Sequence, residues 1–168
     1  MRIILTAIVL LFSLTACSSD VSDEQLKEQA KKLLISFSKI NYEVKKEEYK
    51  KTPNDFTAYI IVIQDKAKPY ITEKETKNFH KTGIGHTASF LAYNDIFLTV
   101  EDVEITNFKR NDVSGSIDIG YKIYLKGTLN DEVMQQAGRV TLLPDNESYK
   151  IDSYWDNIKI AHFRTEAK

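Results

Sequence analysis

Residues 115–127 read GSIDIGYKIYLKG, and their alternation decides the fold. Ile117, Ile119, Tyr121, Ile123 and Leu125 share one parity, while Ser116, Asp118, Gly120, Lys122, Tyr124 and Lys126 share the other. A period of two sustained over this length fits a strand with one face buried and one face in water, and no helical face. Working outward, Asn111 to Gly115 and Gly127 to Asp131 carry turn residues, so the neighbouring strands run antiparallel. Upstream, Ile96, Leu98 and Val100 alternate, then Val103 and Ile105 continue on the opposite parity; a bulge at Glu101-Asp102 restores the facing. Downstream, a third strand covers about Met134 to Leu143 and Pro144-Asp145-Asn146 turns the chain. A fourth strand then places Tyr149, Ile151, Ser153 and Trp155 on one face.

The N-terminal half is helical. Leu26, Ala30, Leu33, Leu34, Phe37, Ile40 (or Asn41) and Val44 recur at helical spacing. Ser22 and Gln25 form a capping box, Val21 and Leu26 are spaced as a hydrophobic staple, and Asp23 and Glu24 suit the positive helix end. The charged run from Lys45 to Lys51 reads as a solvated last turn. Thr52-Pro53-Asn54-Asp55 starts a second helix through FTAYIIVIQ, although its β-branched residues also suit a strand. Pro69 breaks that pattern. A third, short helix starts at the capping box Thr72-Glu73-Lys74-Glu75 and stops at Gly83.

These elements predict an α+β fold in which two or three N-terminal helices pack on a curved, four-stranded antiparallel sheet. The long first helix, the LTVEDVEI strand at 98–105, the strand quoted above and the hairpin GRVTLLPDNESYKIDSYW at 138–155 together resemble the nuclear-transport-factor-like, or cystatin-like cone, superfamily. The resemblance spans most of residues 22–160, and its closing hairpin is typical of lipid-anchored and secreted members. It implies a cone-shaped domain that serves as an assembly or binding module in envelope and conjugation machines, or in exclusion and immunity. In catalytic members it implies Tyr and Asp inside the cone.

The start of the chain gives an address. Arg2 is followed by an apolar stretch from Ile3 to Leu14, shorter than the roughly 20 residues needed to span a bilayer and suited to a secretory signal. Leu14-Thr15-Ala16-Cys17 resembles the lipobox of bacterial lipoprotein precursors. That resemblance implies cleavage between Ala16 and Cys17, and a diacylglyceryl thioether on Cys17. A thiolate is the nucleophile such a transfer needs. The predicted organisation is a signal peptide at 1–16, a lipidated tether at 17–21, and a single domain at 22–168. Removing the first 16 of the 168 residues leaves 152, enough for one proper core. The 23 basic and 24 acidic side chains nearly balance, which argues against nucleic acid as a partner. The only Cys is the one in the lipobox, so no disulfide frames the domain.

Chemistry is sparse. His80, His86 and His162 form no HxH, HExxH or HxxxH spacing, so neither a metal nor any other cofactor is predicted. Gly83-Ile84-Gly85 lacks the third glycine of a phosphate loop, and Ser114-Gly115-Ser116 reads as a turn. The cone resemblance puts Tyr121, Tyr124, Asp118 and Asp152 forward as acid–base candidates. Asp118 and Asp152 share parity with Lys122 and Lys150, the outer face, where a carboxylate is solvated and nothing raises its pKa. Tyr121, Tyr124 and Trp155 are the candidate pocket residues, and no catalytic residue is assigned. The sequence therefore predicts a membrane-anchored, extracytoplasmic lipoprotein whose non-catalytic domain binds a protein or a small ligand. The alternative is a small isomerase- or hydrolase-like enzyme using a polar cone.

Overall fold

The alternating stretch forms the second strand of an antiparallel sheet in the computed structural model, which describes residues 21–47, 49, 55–128, 133–146 and 148–158. The strands are β1 (Leu98–Arg110), β2 (Ile117–Gly127), β3 (Val133–Asp145) and β4 (Ser148–Asp156), paired in the order β1-β2-β3-β4. All five apolar residues of β2 on the predicted inner parity are buried, and Asp118 on the other parity is exposed. The fold is α+β, with helices covering one face of the sheet.

Backbone turns set the register. Asn111 closes the β1–β2 connection by accepting at its Oδ1 from the N–H groups of Val113 and Ser114, and Gly115 takes the left-handed φ of 69° that lets the chain turn back. Pairing slips between Val100 and Asp102, so Glu101 is the extra residue expected there. A second slip between Ile105 and Asn107, at Thr106, was not visible in the sequence. Bulges bend and twist a strand, and β1 carries two.

The first helix, α1 (Asp23–Tyr42), begins at the capping box: Ser22 Oγ accepts from Gln25 N–H at 3.3 Å, and the Gln25 side chain accepts from Ser22 N–H at 3.1 Å. Leu26, Ala30, Leu34, Phe37 and Asn41 face the core, while Leu33 and Ile40 lie at its margin. The helix ends at Tyr42, Glu43 is extended, and the buried Val44 follows. It packs chiefly against β1. Lys31 reaches Asp102 beside the first bulge at 3.0 Å, and the resulting hydrogen bond holds that carboxyl below its usual range.

The second helix, α2 (Asp55–Ala67), is helical despite its β-branched residues; its predicted cap at Thr52-Pro53 lies outside the described residues. A short 3₁₀ turn at Lys68–Tyr70 carries Pro69. The expected single third helix is instead two turns, α3 (Glu73–Thr76) and α4 (Phe79–Thr82). The hydroxyls of Thr76 and Thr82 bond back to the carbonyls of Thr72 and Asn78, the side-chain competition that shortens helices. Gly83 stops α4 with φ 72°, as predicted. A further helix, α5 (His86–Tyr93), follows where the sequence reading assigned no element. Its buried face of Ala88, Ser89, Leu91 and Ala92 packs against α2.

The fourth strand departs from its predicted alternation. Thr141 pairs with Ser153 but Leu142 pairs with Ile151, so Asp152 is an extra residue. Ile151 and Tyr154 are buried, whereas Ser153 and Trp155 face outward. Placing Ser153 and Trp155 with Ile151 is thus corrected by the bulge. Asp152 is corrected too: its side chain is only 15% exposed and bonded by Thr72 and Lys74, not a solvated charge. The free edge of β4 is covered by the chain before α3, with Thr72 N–H donating to the Ile151 carbonyl at 2.9 Å.

The register of β2 is open to a direct check. Ile119, 2% exposed, cannot accept a carboxylate without losing hydration, so Ile119→Asp should cost several kcal/mol, comparable with the stability of a whole domain. Asp118→Ala, one residue away on the water face, should change stability by about 0.5 kcal/mol or less. Urea unfolding of both variants decides; the reverse order would mean that the strand has slipped by one residue.

Candidate functional site

Among the described residues, chemistry-bearing side chains come together chiefly inside the domain and on the outer face of the sheet. The interior cluster forms where the last turn of α1 meets the end of β4. Tyr42 and Asn41 come from the helix, Tyr154 and Asp156 from the strand, and Tyr121 from the middle of β2. Both Tyr42 and Tyr154 donate to Asp156 Oδ2, and their hydroxyls also touch each other. Two phenolic protons thus serve three oxygen–oxygen contacts. Asn41 Nδ2 donates to the Tyr154 hydroxyl at 3.0 Å, and Asn41 Oδ1 accepts from Gly85 N–H at 2.8 Å. Asn41 thereby ties β4 to the start of α5. Gly85 has φ 81°, and a Cβ there would meet Ile63 at 3.1 Å, so both its conformation and its packing favour glycine.

Tyr121 lies over Gly138, its partner on β3, so closely that a Cβ at 138 would fall 2.2 Å from the ring. Its hydroxyl is buried beside that of Tyr154 without closing a hydrogen bond of ordinary geometry. Burial pushes the phenols of Tyr42, Tyr121 and Tyr154 above their ordinary value. The neighbouring phenols and Asp156 add to the rise for Tyr42 and Tyr154, and Asp156 adds to it for Tyr121. Phe37 packs its edge on Tyr154 with ring centroids 5.0 Å apart. The three tyrosines are 1%, 2% and 5% exposed in chain order, so the phenols are buried, while Asp156 at the end of β4 is only partly buried. A buried carboxyl, Glu75, is carried by α3; burial raises its pKa, Lys74 opposes the rise, and Asp152 adds to it.

The outer face is open. A groove of about 860 Å³ runs across all four strands, with Asn107, Gly120, Lys122, Arg139, Thr141 and Trp155 among its lining. Asn107, Gly120, Arg139 and Trp155 stand opposite one another on successive strands and make one continuous row. Asp118 accepts from Thr141 Oγ1 at 2.7 Å in the next row.

The sequence candidates divide between these places. Tyr121 points into the sealed interior. Tyr124 stands on the outer face and donates to Glu104 at 2.5 Å, a bond that raises its pKa. Trp155 is 53% exposed at the groove. Asp118 lies on the outer face, and Asp152 is bonded at the β4 edge. His80 and His86 are exposed on α4 and α5, while Ala16, Cys17 and His162 lie outside the described residues. Among the described residues, no group of His, Cys, Asp and Glu is placed to hold a metal ion, and no helix is long and apolar enough to cross a membrane. Sequence reasoning missed Tyr42, Tyr154 and Asp156. One signal was available: Asn41 is polar on the apolar stripe of α1, and a buried amide must find partners.

No family model and no curated protein matches the sequence. Among solved structures, the chain is similar to one described as an Ntf2-like, potential transfer protein TraM from the Gram-positive conjugative plasmid pIP501. Identity is 10% and the TM-score 0.48, over 79% of this chain and 96% of that one. A likeness of this degree assigns no residue and no partner.

The sealed phenols predict an alkaline limit to stability. A phenol kept neutral by the fold ionises in the unfolded chain near pH 10. Its stabilisation is therefore complete below about pH 10 and is lost as pH rises toward the higher folded value, by about 1.4 kcal/mol per pH unit for each such phenol. Replacing Tyr42 and Tyr154 together with Phe should flatten the fall of Tm with pH in that range, whatever it does to Tm at pH 7. An unchanged alkaline slope would show that these phenols already ionise in the folded protein.

Proposed function

We propose that the chain is a membrane-anchored, extracytoplasmic lipoprotein whose α+β domain binds a partner or ligand and performs no chemistry. The anchoring half rests on Leu14-Thr15-Ala16-Cys17 and the apolar stretch before it. Two or more acyl chains on Cys17 would hold the protein firmly, since each buried methylene contributes about 0.8 kcal/mol. The binding half rests on one contrast. The phenols inside the domain are buried, and those of Tyr42 and Tyr154 are bonded to Asp156, whereas the open groove lies on the other face of the sheet.

One observation favours a second reading. Phenols and a carboxyl converge inside the domain, as an isomerase- or hydrolase-like enzyme would require. Such an enzyme also needs a path for substrate to the reacting groups; Asp156 is partly exposed, but Phe37, Tyr42, Tyr121 and Tyr154 are packed without exposed surface of consequence. The binder is therefore the reading we adopt.

Metabolic labelling with a clickable fatty acid should mark the wild-type protein in the membrane fraction and leave Cys17→Ser unlabelled. Equal labelling of both, or release of both to the medium without label, would contradict lipid anchoring.

A further inference from the structure

We propose that the outer face of the sheet carries a binding site for an acidic saccharide, with the sugar ring lying on Trp155 and its anionic group held by Arg139 and Lys122. This deepens the reading of the domain as a binder and rests on it. Labelling of Cys17 reports on anchoring alone, so the two can fail separately.

The shape comes first. Gly120 presents no side chain to the outer face, and a Cβ there would come within 3.3 Å of Asn107 Cβ and Thr106 Oγ1. The floor beside it is lined by Ala137 and Thr141. Gly120 leaves a notch in its row beside Arg139, and Ala137 and Thr141, which flank Arg139 on β3, keep the surface on either side of it low. Trp155 closes the β4 end of the Gly120 row and is half exposed. An aromatic face with a negative quadrupole attracts C–H groups, and the apolar face of a pyranose ring presents several at once.

The charges select the anion. Among the described residues neither Lys122 nor Arg139 has an ion-pair partner, although carboxylates stand on the same face. Glu104, directly opposite Lys122, takes the Tyr124 hydroxyl, and Asp118 takes the Thr141 hydroxyl. Lys122 pairs with Ala137, two residues from Arg139 on β3, so the two cations are diagonal neighbours, about 7–8 Å apart at the backbone. That spacing lets both side chains converge on one carboxylate or phosphate, which a guanidinium binds through two parallel N–H bonds. The remaining lining holds one carboxylate, Asp118, which lies on the other side of Gly120 from Lys122 and accepts from Thr141, and is otherwise rich in short hydroxyl and amide groups: Thr106, Asn107, Thr141 and Ser153. These match the hydroxyls of a sugar, and they offer no apolar pocket for the side chains of a peptide.

Trp155 is the only tryptophan in the chain, so its fluorescence reports on this groove directly. The full chain is titrated with trigalacturonic acid and with glucose 6-phosphate, which distinguish a uronate from a sugar phosphate. Maltotriose serves as the neutral control and poly-L-glutamate as the acidic peptide control. The proposal expects a saturable change with at least one acidic sugar, at least tenfold weaker binding of maltotriose, and at least tenfold weaker binding of the acidic sugar to Arg139→Glu. This substitution is exposed, and an unchanged Tm confirms that the variant is folded. Absence of a saturable response to both acidic sugars would overturn the proposal. So would equal affinity in Arg139→Glu, or poly-L-glutamate binding as tightly as trigalacturonic acid, which would make the site one for acidic polypeptide.

Discussion

One extra residue in the last strand governs the use of both faces of the sheet. Without Asp152 as a bulge, strict alternation would send Trp155 inward with Ile151 and turn Tyr154 out to water. With it, Tyr154 enters the core and Trp155 leaves it. A bulge leaves one residue outside the ladder, and here that residue is held in place: Thr72 and Lys74 both bond the Asp152 carboxylate, while Thr72 N–H pairs with the strand at Ile151. The covered edge and the bulge are therefore one arrangement, built by Thr72 and Lys74 at the start of α3.

The consequences run inward and outward. A phenol brought into a core needs a hydrogen-bond partner, because a buried hydroxyl left alone costs about 1–3 kcal/mol. Tyr154 finds Asn41, Tyr42 and Asp156, and through them the end of α1, the end of β4 and the start of α5 are joined at one point. Such a network fixes how the helices sit on the sheet more narrowly than apolar packing alone, since every member loses a partner if one element shifts. On the other side, expelling Trp155 completes the row from Asn107 across Gly120 to Arg139. The same register shift thus buries the Tyr154 phenol and furnishes the outer groove, the contrast on which the proposed binding role rests.

What the sequence disclosed, and what it hid, follows from the range of each interaction. The alternation of β2, the capping box of Ser22 and Gln25, the bulge at Glu101 and the stop at Gly83 are all written within a few residues, and each stands where it was read. The bulge at Glu101 was legible because apolar residues lie on both sides of it and change parity. The bulge at Asp152 was not, because Ser153, Tyr154 and Trp155 leave the parity ambiguous: both aromatics can serve on either face. Helix α5 was missed because Gly83 and Gly85 before it read as a turn and its hydrophobic run is short; what stabilises it is contact with α2 and the bond from Gly85 to Asn41. The polar cluster joins residues more than a hundred positions apart, a distance at which pattern carries no information. Only the misplaced polarity of Asn41 hinted at it.

The most direct measurement is the exposure of the single tryptophan. If the bulge at Asp152 sets the faces as described, Trp155 in the folded protein emits close to the maximum of tryptophan in water. Acrylamide then quenches it strongly, and unfolding in guanidinium changes either property little. A blue-shifted emission that resists acrylamide until the chain unfolds would place Trp155 in the core and Tyr154 outside, and would contradict the account at its root.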